Sequence, residues 1–369
     1  MKILITGGSG MVGRNLVQFL IEQKYTVLSP TSKELDLLDK GLLNQFIKKT
    51  NPEVIVHCAG LVGGIQANIK NPYSFLNINL EMGINIVQSA LDNGVEKFIN
   101  LGSSCMYPAG RDSEIKESEI LTGPLEKTNE GYALAKIAVA KLCEFAAIEY
   151  GKSYKTIIPC NLYGKWDKFH PENSHMIPGV IRKLYEAKTN NTTPIIWGDG
   201  TARREFMYAE DLSDFIYWSL ENYNSLESYT NVGVGEDLSI LEYYKEIAKV
   251  VGYTGPFEFD LDKPTGMNRK LCSIEKQNKL GWKPKHSLQQ GLEKTYAWFI
   301  ENIKEVHLTK RPILVGMKDI QESEELAELL LMQNIPCTVL NALKYASYLF
   351  KRSCTLSSLQ VNVPSFKGL

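Results

Sequence analysis

The sequence lacks the features that would place the chain in a membrane or cross-link it with disulfides. No apolar run approaches the roughly 20 residues needed to span a bilayer. The seven cysteines are odd in number and have no paired short spacings, which fits neither a disulfide framework nor a zinc site. The first glycines come too early for a secretory signal. We therefore expect a cytoplasmic protein without a metal site.

An excess of charge of either sign is also missing. The 369 residues carry 41 Lys and Arg against 42 Asp and Glu. This balance argues against nucleic acid or a membrane surface as the main partner. No internal repeat or low-complexity segment is present, and a hydrophobic content of 44% is enough for a large core. The composition is that of an ordinary globular enzyme.

Strand-like runs alternate with helical stretches through the first 160 residues. Strands are predicted at 2–5, 26–29, 54–59, 97–101 and 154–159, with helices such as 15–23, 42–49 and 82–93. This alternation predicts an α/β fold with a Rossmann-type, doubly wound parallel sheet. We assign residues 1–164, with 205–218 and 229–252, to that domain. A smaller C-terminal substrate lobe is predicted from 165–204 and 253–303, followed by an extension, 304–369.

A glycine turn follows the first predicted strand. Gly7, Gly10 and Gly13 lie between this strand and a helix, an arrangement that lets a dinucleotide pyrophosphate approach the positive end of the helix. The pattern alone is also compatible with a tight structural turn. Its place in a strand-helix-strand pattern favours a cofactor site, to which we also assign Met11 and Val12.

Reactive side chains follow in a fixed order. Ser103 and Cys105 stand in Gly-Ser-Ser-Cys-Met-Tyr-Pro, Tyr132 and Lys136 are four residues apart, and His175 ends His-Pro-Glu-Asn-Ser-His. On a helix, Tyr132 and Lys136 share one face, one turn apart. A free tyrosine has a pKa of about 10, so a neighbouring cation is needed to favour the phenolate. We expect Lys136 to lower the pKa of Tyr132.

Together these motifs resemble a known family. The glycine turn, the serine after a mid-chain strand and Tyr-x-x-x-Lys look like an extended short-chain dehydrogenase/reductase. More narrowly, the chain resembles the GDP-L-fucose synthases, which are 3,5-epimerases and 4-reductases of GDP-4-keto-6-deoxy-D-mannose. The resemblance covers residues 1 to about 303. It is carried by the segments 62–64, 102–108, 121–126, 161–164, 169–175 and 197–200.

The resemblance implies a reaction around one ketone. A C4 ketone acidifies the hydrogens on C3 and C5, so one polarised carbonyl serves epimerisation and reduction. Ser103 and Tyr132 would donate hydrogen bonds to the C4 oxygen. Cys105 would remove a proton and His175 would return one from the opposite face, with His170 in the same motif as an alternative donor. NADPH would then give a hydride to C4 and Tyr132 a proton, yielding GDP-L-fucose.

The segment after the second predicted strand bears on the choice of cofactor. An NAD enzyme usually has an Asp or Glu there, whereas an NADP enzyme offers hydroxyls or cations to the 2′-phosphate. Ser32 and Lys33 occupy this segment, which predicts NADPH, although a solvated loop would look the same. By resemblance, further cofactor-binding residues are Asp36, Leu37, Tyr132, Lys136, Asn161, Leu162 and His175.

The resemblance also implies a GDP-sugar substrate and a homodimer. Arg204 and Lys270 match positions that bind the diphosphate, and Lys183 stands where relatives often have arginine. Trp197 is expected to line the nucleotide pocket, with a core tryptophan as the alternative. The predicted helix around 75–91 is the candidate dimer face, but its periodicity would suit a core face equally.

Three other functions are compatible with parts of the sequence. A sugar nucleotide dehydratase needs an acidic pair after its catalytic Ser or Thr, where this chain has Ser104 and Cys105. A C4 reductase of a related GDP-6-deoxy-heptose, with or without epimerisation, would use the same Ser, Tyr and Lys. A nucleotide-sensing binding protein could retain the fold, but it would not need these residues complete.

The last residues do not fit the family. A strand at 310–316, a helix at 323–332 and a strand at 335–342 are predicted, and residues 309–342 resemble a fragment of the SecA motor without its nucleotide-binding loop. No ATPase function follows. The stretch is too short to bury a core by itself, so we expect a fused fragment.

Overall fold

The structure is a computed structural model that describes residues 1–170, 174–263 and 266–308, with side chains as far as residue 302. The chain divides into a compact unit of Met1–Ile300 and a second unit of Glu301–Leu369. The strands are β1 (Lys2–Thr6), β2 (Thr26–Leu28), β3 (Val54–His57), β4 (Lys97–Leu101), β5 (Ser153–Pro159), β6 (Asn161–Tyr163), β7 (Ile195–Trp197), β8 (Arg203–Arg204), β9 (Phe206–Tyr208), β10 (Tyr229–Val232), β11 (Leu238–Ser239), β12 (Glu258–Asp260) and β13 (Arg269–Lys270). The α-helices are α1 (Met11–Glu22), α2 (Lys40–Thr50), α3 (Ile65–Lys70), α4 (Pro72–Asp92), α5 (Glu130–Tyr150), α6 (Met176–Asn190), α7 (Ala209–Glu221), α8 (Ile240–Val251), α9 (Glu275–Lys279) and α10 (Leu288–Leu308).

The main sheet has six parallel strands in the order β10-β5-β4-β3-β1-β2. The chain winds outward from β1 to β2 and then returns to place β3 on the other side of β1. In such sheets a ligand binds outside the carboxyl ends of the strands, where the winding reverses. The crevice is therefore expected beside the ends of β1 and β3, and the predicted fold class is confirmed.

Helices cover both faces of this sheet because its central strands are apolar on both sides. All four residues of β3 are buried, as parallel strands with two covered faces require. On one face, Leu16 of α1 and Phe215 of α7 join the core of the sheet. On the other, Leu43 of α2, Ile86 of α4 and Val139 of α5 form a second core cluster. None of the described helices is long and apolar enough to cross a membrane.

A further core cluster lies outside the main sheet. It contains Ile177 and Ile181 of α6, Tyr243 and Ile247 of α8, and Phe299 of α10. Helix α8 was predicted to belong with the main sheet, within 229–252, but it packs on α6 instead. The predicted boundary between lobe and extension, at 303 and 304, falls inside α10. The elements predicted after residue 308 lie outside the described residues.

Candidate active site

The backbone of the glycine turn is packed tightly, as it is in turns that hold a dinucleotide pyrophosphate. Gly7 has a φ of +73°, and a Cβ there would lie 2.6 Å from the backbone of Ala59. A Cβ on Gly13 would lie 2.2 Å from the carbonyl oxygen of Gly7, which also accepts a hydrogen bond from the Gly10 N–H at 3.0 Å. Helix α1 begins directly after Gly10, without a side-chain cap. The N–H groups of its first turn are thus available to a pyrophosphate.

The residues predicted to choose the cofactor follow β2. Ser32 and Lys33 are exposed, and Asp36 accepts a hydrogen bond from the Leu38 N–H at 3.0 Å. Leu37 is buried in the core cluster beside α2 and α4. The exposed pair follows β2, the strand at the edge of the main sheet, and its contact with a 2′-phosphate stays a prediction.

Tyr132 lies in the first turn of α5, and Ser103 caps the 3₁₀ turn after β4. The serine hydroxyl hydrogen-bonds the phenol and lowers its pKa. Burial and the neighbouring Cys105 have the larger effect and raise the pKa of Tyr132 above its usual value. The predicted lowering by Lys136 is therefore wrong: in this pocket the phenol stays protonated.

Lys136 explains why that prediction fails. Its Nζ donates to the carbonyl oxygen of Leu101 at 2.8 Å and lies 5.8 Å from the centroid of the Tyr132 ring. Burial lowers the pKa of this lysine to about 8, while the nearby Cys58 and Cys105 act in the opposite direction. The helical spacing was predicted correctly, but desolvation, which the spacing does not report, weakens the cation.

Cys105 lies among nitrogen donors from distant parts of the chain. Its Sγ accepts from Asn129 Nδ2 at 3.2 Å and from Lys270 Nζ at 3.5 Å. Burial lowers the pKa of the Arg204 guanidinium, and the nearby Cys105 acts in the opposite direction. Sequence reasoning assigned Lys270 to the diphosphate and missed Asn129, whose only signal was its place three residues before Tyr132.

His175 is the N-cap residue of α6, but its side chain does not cap the helix. The surrounding protein and Lys168 lower its pKa, although the imidazole keeps an exposed face. A Cβ on Gly64 would lie 3.5 Å from the backbone oxygen of Ser174, so the loop 62–64 borders this segment. His170 is exposed, and its carbonyl oxygen accepts a hydrogen bond from Ser174.

Asn161 and Leu162 lie in β6, directly after β5 of the main sheet. The Asn161 amide donates to the carbonyl oxygen of Glu205 at 2.8 Å. The Glu205 carboxylate accepts from the N–H groups of Val234, Gly235 and Cys272, and burial raises its pKa to about 7. This buried carboxylate, which sequence reasoning missed, fixes the segment that follows Lys270.

The remaining residues predicted to bind substrate differ in their surroundings. Burial lowers the pKa of Arg204, and a Cβ on Gly266 would lie 3.3 Å from its Nη2. Lys183 donates to the carbonyl oxygen of Ile195 at 2.6 Å and to the Tyr244 hydroxyl at 3.1 Å, so it braces β7 and α8. Trp197 is 46% exposed, which excludes the alternative of a core tryptophan.

The fold and the site are those of an NAD(P)-dependent enzyme of the short-chain dehydrogenase/reductase type. The model of the NAD dependent epimerase/dehydratase family matches residues 3–235. The chain belongs to this family. A model of the SecA P-loop domain also matches residues 287–348, in line with the resemblance predicted for 309–342, and extends beyond the described residues.

Similar proteins act on GDP-sugars according to their names. The chain is 53% identical over 302 residues to the GDP-L-colitose synthase of Yersinia pseudotuberculosis, covering 81% of this chain and 98% of that protein. It is 48% identical over 300 residues to the GDP-L-fucose synthase of Azorhizobium caulinodans, covering 81% and 96%. The NADP-bound GDP-mannoheptose C4 reductase of Campylobacter jejuni superposes with a TM-score of 0.73 at 30% identity, covering 81% and 98%.

Proposed function

We propose that this protein is a GDP-L-fucose synthase. It epimerises GDP-4-keto-6-deoxy-D-mannose at C3 and C5 and reduces C4 with NADPH. The observation that carries the proposal is the position of Cys105 beside the Ser103–Tyr132 pair: the Ser103 hydroxyl accepts from the Cys105 N–H at 3.3 Å and is also hydrogen-bonded to the phenol of Tyr132. Carbonyl reduction needs the phenol but no thiol, whereas epimerisation needs an acid–base group beside the polarised carbonyl.

NADPH, when bound, supplies the hydride for C4. The tight turn at Gly7, the close backbone packing at Gly13 and the uncapped first turn of α1 fit its pyrophosphate. Ser32 and Lys33 would meet the 2′-phosphate after β2, and the NADP-bound structural relative supports this cofactor. Lys136, Asn161, Leu162 and His175 are proposed to border the nicotinamide end.

The chain's own residues carry the protons. Ser103 and Tyr132 donate to the C4 oxygen, where negative charge develops in the enolate and again during reduction. Because its pKa is raised, Tyr132 remains a phenol and can protonate the C4 alkoxide. Cys105 takes the proton from C3 or C5. His175 returns a proton to the opposite face, for which its lowered pKa makes the imidazolium a strong donor.

A second candidate substrate lacks the hydroxyl at C3. The identity of 53% to a GDP-L-colitose synthase favours it, since colitose is the 3-deoxy counterpart of fucose. Such a substrate would be inverted at C5 alone. A related GDP-heptose reduced at C4 is a third candidate, supported by the similar mannoheptose reductase.

One experiment separates these candidates. The purified protein is incubated with NADPH and each of three keto-sugars: GDP-4-keto-6-deoxy-D-mannose, its 3-deoxy analogue and a GDP-4-keto-6-deoxy-heptose. Products are identified by NMR, and kcat/KM is compared. We expect GDP-L-fucose from the first substrate at the highest kcat/KM. A higher value for the 3-deoxy analogue would assign the second function, and reduction without inversion at any carbon would contradict epimerase activity.

We further propose a cytoplasmic homodimer with a GDP-sugar as its partner. Inward residues of α4 such as Phe75 and Ile86 are buried. Several large apolar residues on or beside the outer surfaces of α4 and α5 are exposed, namely Ile69, Tyr73, Ile84, Leu134, Leu142, Phe145, Ile148 and Tyr150. Apolar surface of this extent is typical of a protein interface, so the dimer face would be shared by both helices.

A further inference from the structure

Two side chains, those of Asn129 and Lys270, contact the thiol of Cys105. Asn129 directly precedes α5, and Lys270 ends β13. Their nitrogen atoms lie 3.2 Å and 3.5 Å from the Cys105 Sγ, although they are 24 and 165 residues away along the chain. The thiol therefore lies where three separate segments converge.

Both donors require the sulfur of Cys105 to act as a hydrogen-bond acceptor. A lysine ammonium has three N–H donors and no acceptor, so its contact with Sγ makes the sulfur the acceptor. A neutral thiol is a weak acceptor, whereas a thiolate accepts strongly and is favoured beside a cation. Arg204 adds a second positive charge near the same sulfur.

Lys270 is held in place by its neighbours. Strand β13 pairs in parallel with β8, which sets Lys270 opposite Arg204. The preceding Arg269 donates to Asp237 at 2.6 Å, and Asp237 also accepts from Arg203 at 2.8 Å. These bonds link the three strands of the short sheet at Asp237 and fix the backbone from which the Lys270 side chain extends to the thiol.

We propose that Asn129 and Lys270 are positioning residues that hold Cys105 as the thiolate base of epimerisation. The inference rests on the proposed function. In the step they support, the C–H bond at C3 or C5 breaks, its proton forms the S–H bond of Cys105, and its electron pair moves into the enolate at C4. His175 then protonates the opposite face, and solvent resets both groups.

The test measures proton abstraction without reduction. The enzyme is incubated in D₂O with GDP-4-keto-6-deoxy-D-mannose and NADP⁺, and deuterium at C3 and C5 is followed by NMR. Lys270→Met and Asn129→Ala are expected to slow exchange about 10- to 100-fold, the range for losing hydrogen bonds to a charged group. Lys270→Arg should restore part of the rate. Lys116→Met, an exposed lysine paired with Glu275, is the matched control.

Two further readouts distinguish this role from phosphate binding. Alkylation of Cys105 by iodoacetamide, followed by mass spectrometry, should reach half its maximal rate at higher pH in Lys270→Met than in the wild type. The Kd for GDP should change less than threefold. Because the Asn129 side chain does not cap α5, Asn129→Ala is expected to fold and serves as an independent variant.

The outcomes separate this inference from the proposed function. If wild-type enzyme exchanges no deuterium, the epimerase function fails, and the alkylation profile still reports on the thiol. If the wild type exchanges but Lys270→Met exchanges equally fast at saturating substrate, or if this variant only weakens GDP binding, the positioning role is refuted.

Discussion

Replacing Tyr132 with phenylalanine removes the proposed proton donor and little else. The change deletes one oxygen from a partly buried side chain whose ring meets Phe75 edge-on, with 6.5 Å between the ring centroids. That packing is available to phenylalanine as well. The variant should therefore fold like the wild type, and a loss of kcat at saturating NADPH is a chemical effect.

The size of the loss follows from what the phenol does. A positioned general acid contributes about 10²- to 10⁴-fold to a rate. Ser103 remains as a hydrogen-bond donor to the C4 oxygen, but an aliphatic hydroxyl is a much weaker acid than a phenol and does not replace the lost proton. We therefore expect kcat for C4 reduction to fall about 10²- to 10⁴-fold, roughly 3 to 5 kcal/mol of transition-state stabilisation.

The assay is NADPH oxidation at saturating keto-sugar, with circular dichroism and the Kd for NADPH as checks of folding and binding. Tyr217→Phe, on α7 and in neither the site nor the proposed dimer face, is the matched control and should keep wild-type activity. If Tyr132→Phe retained more than a tenth of the wild-type kcat, the phenol could not be the proton donor.

Four shorter predictions concern the cofactor, pH and assembly. Gly7→Ala should raise the Kd for NADPH at least tenfold in a fluorescence titration, because the added Cβ would collide with the backbone of Ala59. An unchanged Kd would contradict the role of this turn in binding NADPH. Lys33→Glu should reduce the preference of kcat/KM for NADPH over NADH, and equal rates in the wild type would refute that preference. As pH rises through about 8, kcat/KM should fall because Lys136 loses its charge. In the pH profile of Lys136→Met, this fall above pH 8 should be absent. Phe145→Glu should yield monomers in sedimentation analysis; a monomeric wild type would refute the dimer.

The main sheet could be predicted from the sequence because each of its strands is a short run of mostly apolar residues. The run Val54–His57, which is apolar in its first three residues, suits a strand buried on both faces, and the helices between such runs are long enough to span the sheet. The predicted ends of the helices and strands were less accurate. Helix α4 begins at Pro72, before both predicted starts, residues 75 and 82, because proline suits a first turn.

Within the site, local spacing could be read from the sequence but the surroundings could not. The sequence placed Tyr132 and Lys136 on one helical face, as the structure has them. The direction of the Tyr132 pKa depends on burial, which is set by everything packed around the helix. Helix α8 shows the same limit, because an amphipathic helix does not specify which of two cores it will cover.

The sequence by itself determined the glycine turn, the tyrosine and lysine one turn apart, and the order of strands and helices, because each depends on neighbours a few residues away. Only the tertiary structure decided that Lys183 braces β7 and that Lys270 meets Cys105. Contacts between residues 165 positions apart arise from strand pairing across the fold, and no local pattern in the chain encodes them.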